Sequence, residues 1–171
     1  MQVAASKKLT VHQMDVKTAY LNAEIDHEIY VKQPEGFEVR NKEGNALFCK
    51  LKKSLYGLKQ SGRMWNNVIH LFFIENGFTQ SKVDPCIYVK HDGKEMTLIL
   101  LWVDDILIGS SSKTELTKIK NLFKNKFKMT DLGILKWFLG IGFTVTENSI
   151  EMNQSKYIHK VLERFVGCPY C

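Results

Sequence analysis

Proline, cysteine and long apolar runs are all scarce in this chain. With three prolines and 44% hydrophobic residues in 171 positions, it is expected to be an ordered, globular protein rather than a disordered one. Cys168 and Cys171 form a terminal pair without a second ligand pair at zinc-site spacing, so free intracellular thiols are favoured over a metal centre. No apolar run approaches the ~20 residues of a membrane span, and the N-terminus lacks a signal-peptide core, so neither a membrane-embedded nor a secreted protein is expected.

Acidic residues are also in the minority. Twenty-four Lys and Arg outnumber eighteen Asp and Glu, which leaves a formal charge of +6. The excess favours an anionic partner. It does not identify one, because a lysine-rich helix face is usually just solvated.

Two adjacent carboxylates interrupt the most apolar part of the sequence. Asp104 and Asp105 separate residues 98–103 from residues 106–109, and both runs are too short for a helix and rich in Ile, Leu and Val, as buried strands are. An ionised carboxylate removed from water costs several kcal/mol unless a cation compensates it. The pattern predicts a β-hairpin with the pair at its turn, where a divalent metal ion can neutralise both. Turn chemistry without a metal is the alternative interpretation.

A third carboxylate has a similar setting. Residues 9–16 alternate as a strand does, Asp15 lies near the end of that run, and residues 17–27 have helical character. One interpretation is that Asp15 caps that helix. If its strand lies beside the hairpin, three carboxylates meet at one edge of a sheet and suit Mg²⁺, since two such ions about 4 Å apart promote in-line phosphoryl transfer. The reaction class implied is nucleotidyl transfer.

A basic, glycine-containing loop precedes the most aromatic helix. Gly57 permits a close approach of the backbone, Lys59 and Arg63 supply positive charge, and Ser61 is placed to cap the next helix. An ordinary strand-to-helix connection explains the same loop. The aromatic residues of the predicted helix at 63–76 recur at helical spacing and are expected in the core.

The remaining segments complete an α+β domain. Further strands are predicted at 28–33, 47–51, 86–90, 96–103, 136–146 and 149–152, with the first two paired and a turn at Glu147 and Asn148 between the last two. Further helices are predicted at 113–128 and 154–165, with a connector at 78–84 and a helix break at 130–133. We therefore predict one domain over residues 1–171, with helices packed on one face of a small antiparallel sheet.

Five sequence segments carry a family resemblance. They read QMDVKTAYLN at 13–22, QPEGF at 33–37, LKKSLYGLKQ at 51–60, VDD at 103–105 and FLGI at 138–141. These segments, in this order and at this spacing, resemble those of the reverse transcriptase of copia-type LTR retrotransposons. The resemblance covers nearly the whole chain. The resemblance implies a polymerase palm with a ferredoxin-like core and part of the fingers, acting as an RNA-directed DNA polymerase.

The resemblance also implies roles for individual residues. Asp15, Asp104 and Asp105 match the catalytic acids that bind two Mg²⁺ or Mn²⁺ ions near the primer end. The residues matched to dNTP binding are Tyr20, whose ring excludes a 2′-hydroxyl, Tyr56, Gly57 and Lys136. The residues matched to nucleic-acid binding are Lys59, Arg63, Trp102, Trp137, Leu139 and Gly140. The implied partners are an RNA or DNA template with its primer, dNTPs, and the remaining segments of a polyprotein.

The chain departs from the family pattern at three positions and at both ends. Trp102 stands where tyrosine is usual, Gly62 where proline is, and Ala23 where glycine is common. The basic fingers segment expected upstream and the full thumb and ribonuclease H domain expected downstream do not occur in this sequence, so weak nucleotide binding and a weak or inactive isolated chain are expected. A relic or co-opted copy that binds nucleic acid without catalysis is the alternative. The resemblance implies an intracellular protein, cytoplasmic or particle-associated.

Overall fold

The computed structural model describes residues 1–146 and 149–165. The helices are α1 (Gln2–Ser6), α2 (Ser61–Glu75), α3 (Lys113–Lys126) and α4 (Ser155–Phe165), with a 3₁₀ turn at Ala19–Asn22. The strands are β1 (Thr10–Val16), β2 (Tyr30–Lys32), β3 (Phe48–Lys50), β4 (Thr79–Gln80), β5 (Ile87–Asp92), β6 (Glu95–Trp102), β7 (Asp105–Ser110), β8 (Met129–Ile134), β9 (Trp137–Phe138), β10 (Ile141–Val145) and β11 (Ile150–Asn153).

Six strands form the main sheet. Their order is β4-β5-β6-β7-β1-β8, and every neighbouring pair is antiparallel. Four of them, together with α2 and α3, follow the chain order β1-α2-β6-β7-α3-β8, which with this sheet order is the ferredoxin-like arrangement. The strands β4 and β5 extend this core at one edge. The predicted α+β fold with a ferredoxin-like core is confirmed.

The helices α2 and α3 pack on one face of the main sheet. Their buried apolar residues recur at helical spacing, as predicted, and are Trp65, Ile69, Phe72 and Phe73 of α2 and Leu116, Ile119 and Phe123 of α3. From the sheet they meet Met14, Val16, Ile99, Leu101, Ile106 and Ile108. Each large apolar side chain buried in this way contributes about 1.5–3 kcal/mol.

A smaller layer covers part of the opposite face. The strands β9, β10 and β11 form a separate antiparallel sheet. The cluster on this side contains Ala4, Leu9, Val11, Leu107, Leu135, Phe138 and Phe143. The prediction of helices on one face therefore holds for α2 and α3, whereas α1 lies on the other face through Ala4. From β1 the cluster includes only Val11, near the start of the strand, and it does not reach Asp15.

The predicted helix at 17–27 is wrong. Only a 3₁₀ turn forms, because Thr18 has a left-handed φ of +53° and the Asn22 amide donates to the carbonyls of Thr18 and Ala19. A short polar side chain that bonds to nearby backbone competes with a continuing helix.

The predicted break at 130–133 is instead part of β8. Its turn-like sequence is overridden by pairing with β1, which would otherwise have an unpaired edge. The register shifts between Gln13 and Met14, and Gly133 has a φ of +76°, so an irregular ladder accommodates these residues. Two further elements, α1 and the short strand β4 within the expected connector, were not predicted. The single strand predicted at 136–146 is wrong, since a turn at Leu139 and Gly140 divides it into β9 and β10.

The predicted strand pairings are confirmed where the structure describes them. The strands β2 and β3 pair, β5, β6 and β7 run consecutively and antiparallel, and β10 pairs with β11. The predicted turn at Glu147 and Asn148 lies outside the described residues, as do Cys168 and Cys171. Within residues 1–146 and 149–165, none of the helices has the length and apolar character that crossing a membrane requires.

A cluster of charged side chains ties α3 to the edge of the main sheet. The amine of Lys120 lies 2.7 Å from Asp131 Oδ1 in β8 and 2.6 Å from His12 Nδ1 in β1. The amine of Lys124 lies 3.0 Å from the other Asp131 oxygen. Burial alone raises the pKa of Asp131, but hydrogen bonds from Lys120 and Lys124 outweigh it and lower the pKa to about 2.

Asp131→Asn is therefore expected to lower the free energy of unfolding at pH 7 by about 1–2 kcal/mol, an effect limited by solvent screening of the partly exposed carboxylate. Because the folded-state pKa is depressed, the contribution is present above about pH 4 and is lost as the pH falls toward about 2. Urea unfolding of both proteins across this range measures the difference. The matched control is Asp92→Asn at the exposed end of β5, which should change stability little. A difference between wild type and Asp131→Asn that does not shrink with acid would contradict the assignment.

Candidate functional site

The topology of the main sheet brings the three predicted acids together. Because β1 and β7 are antiparallel, the end of β1 lies beside the start of β7 and the β6–β7 turn. Asp15 pairs directly with Asp105, and the Val16 amide donates to the Asp104 carbonyl at 2.8 Å. Asp15 lies inside β1, and the following 3₁₀ turn begins after Thr18, so the interpretation of Asp15 as a helix cap is wrong.

The turn that carries Asp104 is backbone-strained. The Asp104–Asp105 pair was predicted at the turn, but the two central residues are Val103 and Asp104. Asp105 is already the first residue of β7. Val103 has a φ of +55°. A positive φ at the first central residue but not at the second, Asp104, is the signature of a type II′ turn, where glycine is normally preferred at the first position. A β-branched residue in that region costs of order 1–3 kcal/mol, which surrounding contacts must offset.

Electrostatics confirm that the acids influence one another. Partial burial and then the charges of Asp104 and Asp105 raise the pKa of Asp15, with Lys17 acting in the opposite direction. The side-chain amide of Gln13 donates to Asp105 Oδ1 at 3.2 Å. Gln13 is 8% exposed and was not predicted as part of the site. Its position two residues before Asp15 on the same strand was the available signal, since such residues share a face.

The donor set suits a divalent cation shared with a substrate. Within the described part of the chain, no group of three or more His, Cys, Asp or Glu side chains is arranged to enclose a metal ion. What the site offers is carboxylates from two neighbouring strands, whose mutual repulsion is only partly offset by Lys17. Mg²⁺ is commonly held by one or two carboxylates plus substrate phosphates rather than by a complete protein cage. The residues present therefore fit Mg²⁺ or Mn²⁺.

Two tyrosines lie beside this acidic end of the sheet. Tyr20 in the 3₁₀ turn and Tyr56 in the basic loop have ring centroids 4.4 Å apart at an interplanar angle of 34°. Partial burial and the charge of Asp104 raise the pKa of Tyr56, which shows that its hydroxyl lies within electrostatic reach of the acids. A Cβ atom at Gly62 would lie 3.9 Å from the Tyr20 hydroxyl, so a side chain there would contact this ring.

The basic loop differs in part from its predicted arrangement. Gly57 has a φ of +92°, which explains the glycine, and Lys59 is exposed. Arg63 donates to Asp26 at 2.7 Å, so its charge is paired at the surface. Ser61 is not a helix cap. Its hydroxyl instead closes the loop, since it donates to the Leu55 carbonyl at 2.6 Å and accepts from the Leu55 amide at 3.1 Å.

The β9–β10 hairpin contributes a second strained turn. Its two central residues, Leu139 and Gly140, have φ values of +48° and +80°, as a type I′ turn requires. Leu139 is 47% exposed. Backbone strain in an exposed apolar residue is the kind of cost that function commonly explains. This hairpin packs through Phe138 on the sheet face opposite α2 and α3.

The other predicted nucleic-acid contacts lie in distinct settings. Trp102 is 53% exposed and pairs with Asp105 across the sheet, in line with Asp15. Trp137 is half-buried and is contacted by two nearby segments. The Lys156 amine of α4 lies 4.6 Å from the centroid of its ring, and a Cβ atom at Gly142 would lie 2.8 Å from the ring. Lys136, next to it, is exposed.

A ferredoxin-like sheet with carboxylates at the end of its first strand and in its central hairpin is the arrangement expected of a polymerase palm domain. Comparison with known proteins makes the assignment specific. The family described as reverse transcriptase (RNA-dependent DNA polymerase) matches residues 1–168. The chain belongs to this family.

Retrotransposon polyproteins are among its curated relatives. The retrovirus-related Pol polyprotein from transposon TNT 1-94 of Nicotiana tabacum is 41% identical over 168 residues, which are 96% of this chain and 12% of that protein. The corresponding polyprotein from transposon RE1 of Arabidopsis thaliana is 33% identical over 95% of this chain and 11% of its own length. The chain thus spans about an eighth or less of these relatives. A solved apo telomerase from Candida tropicalis aligns with 85% of this chain and 35% of its own, at 16% identity and a TM-score of 0.46.

Proposed function

We propose that this chain is the part of an RNA-directed DNA polymerase that joins a dNTP to the 3′-hydroxyl of a primer. The observation that carries the proposal is the register of the sheet, which sets Asp15 opposite Asp105 with Asp104 in the adjoining turn. The carboxylates come from separate strands and meet at one end of the main sheet. The apolar cluster that contains Phe138 and Phe143 does not include them. This arrangement suits metal-assisted phosphoryl transfer.

Asp15 and Asp104 are the residues that would hold two Mg²⁺ or Mn²⁺ ions. When bound, such ions lower the pKa of an attacking hydroxyl and stabilise the leaving oxygen of an in-line displacement. Asp105 lies beside them and is held by the Gln13 amide at 3.2 Å. That hydrogen bond orients Asp105 without supplying a positive charge, so the net negative potential that attracts cations is preserved.

The residues around the acids would bind the incoming nucleotide. The Tyr20 ring, backed by Tyr56 at 4.4 Å, would fill the space beside the sugar and exclude a 2′-hydroxyl. Tyr56 and Gly57 would contact the nascent base pair through the loop whose left-handed glycine allows a close approach. Lys136 is exposed but follows β8 beside the start of β1, where the Leu135 amide donates to the Val11 carbonyl at 3.0 Å, so we propose no contact between it and the pyrophosphate near Asp15.

The template and primer would contact residues from both sides of the main sheet, since Arg63 belongs to α2 and Leu139 to the hairpin on the opposite face. The contacts we propose are Trp102, Trp137, Leu139 and Gly140 for the primer, with Lys59 and Arg63 at the template. Cationic side chains would act through phosphate neutralisation, which depends on salt and not on sequence. Either RNA or DNA can serve as template on this basis. The other segments of a polyprotein would be natural partners of the domain.

Primer extension on an RNA template with all four dNTPs tests the proposal. We expect extension by the full 171-residue chain in Mg²⁺ or Mn²⁺ and none when EDTA removes the metal. A parallel measurement of primer–template binding in EDTA serves as the control for folding and affinity. Nucleic-acid binding without any metal-dependent extension would contradict catalysis and favour a co-opted, non-catalytic binding protein.

A further inference from the structure

The turn that carries Asp104 is anchored by a residue outside the acidic site. Trp65, in the first half of α2, is 2% exposed, and its Nε1–H donates to the Val103 carbonyl oxygen at 2.7 Å. The indole ring also packs edge-on against Phe127, with centroids 5.3 Å apart. An indole nitrogen is a donor only, so this bond satisfies the one polar group that Trp65 buries.

This hydrogen bond holds the peptide group whose orientation distinguishes two types of hairpin turn. Type I′ and type II′ turns differ mainly in the orientation of the peptide group between the two central residues. In this hairpin that peptide joins Val103 to Asp104, and its carbonyl is the group that Trp65 holds. The next carbonyl, that of Asp104, accepts from the Val16 amide at 2.8 Å. The backbone on both sides of Asp104 is therefore fixed, by α2 on one side and by β1 on the other.

We propose that Trp65 is a positioning residue for the proposed metal-binding turn. By holding the strained peptide at Val103 in one orientation, it sets the direction in which the Asp104 carboxylate leaves the backbone. The inference rests on the proposed function, because Asp104 is assigned there as a metal-binding residue. A purely structural role would require only the packing of the ring, whereas a positioning role requires the N–H group.

Trp65→Phe separates these two roles, since it retains an aromatic ring and removes the donor. The matched control is Phe127→Leu, which disturbs the packing against Trp65 and leaves the hydrogen bond in place. In Trp65→Phe we expect amide hydrogen exchange over residues 103–106 to rise about tenfold, the effect of losing one neutral hydrogen bond. Affinity for Mn²⁺, followed by electron paramagnetic resonance, should fall by a similar factor, and kcat should fall more than KM changes. Phe127→Leu should show none of these changes.

A second variant excludes an effect of ring size. Replacing Trp65 by benzothienylalanine keeps the two-ring shape and substitutes sulfur for the N–H, so it should reproduce the behaviour of Trp65→Phe. Wild-type exchange over residues 103–106 in both substituted proteins would overturn the inference, as would equal changes in Phe127→Leu. If the wild-type chain binds no Mn²⁺, the proposed function fails. The exchange measurement needs no metal and still decides whether Trp65 holds the turn.

Discussion

Asp15→Asn is expected to lower metal-dependent primer extension by at least about 1,000-fold. The substitution removes one negative charge from the proposed metal site and keeps the size and hydrogen-bonding shape of the side chain. A decrease of this size corresponds to the loss of several kcal/mol of transition-state stabilisation, since each 1.36 kcal/mol changes the rate about tenfold. Single-turnover extension at saturating dNTP and primer–template measures the effect on the chemical step without a contribution from binding.

The control for this substitution is Asp92→Asn, which makes the same chemical change at the β5–β6 hairpin, at the opposite end of the antiparallel sheet. We expect it to leave extension unchanged. Nucleic-acid affinity should be nearly the same in wild type and in both variants, because a carboxylate does not neutralise phosphate. If Asp15→Asn extended primers as the wild type does, Asp15 would not be a metal-binding residue and the register of β1 against β7 would carry no functional meaning.

Strand context placed each acid in its local element. Asp15 at the end of an alternating run and the Asp104–Asp105 pair between apolar runs predicted one strand and one hairpin. The sequence left open whether these elements are neighbours, and the pairing of β1 with β7 brings their ends together. The core positions of α2 and α3 followed from helical spacing for the same reason, since burial on one face imposes a period that the sequence must show. These features depend on local pattern, which a sequence displays directly.

The supporting residues depend on contacts between distant segments and were not predicted. Trp65 was expected only in the core, because helical spacing reports burial and says nothing about where an indole N–H points. Gln13 and Asp105 are far apart in sequence and meet only through the β1–β7 register. The strand β8 has a turn-like sequence, and only the open edge of β1 turns it into a strand. In each case the deciding partner lies outside the local window.

Tyr20→Val is expected to raise the use of ribonucleotides relative to deoxyribonucleotides by about 100-fold, the scale on which one group in a shaped pocket changes selectivity. The proposed reason is steric. The Tyr20 ring is supported by Tyr56 at 4.4 Å and by the 3₁₀ turn that carries it, so it cannot easily yield to an added oxygen. The ratio of kcat/KM for each rNTP and its matching dNTP on one primer–template measures the change.

Tyr20→Phe distinguishes the ring from its hydroxyl. It keeps the aromatic surface against Tyr56 and should retain the discrimination of the wild type, because the exclusion depends on the volume of the ring. A loss of discrimination in Tyr20→Phe as large as in Tyr20→Val would mean that the hydroxyl, which lies near Gly62, makes the distinction by hydrogen bonding instead. If neither variant alters the ratio, the stacked tyrosines do not face the sugar, and the dNTP does not approach Asp104 from their side of the turn.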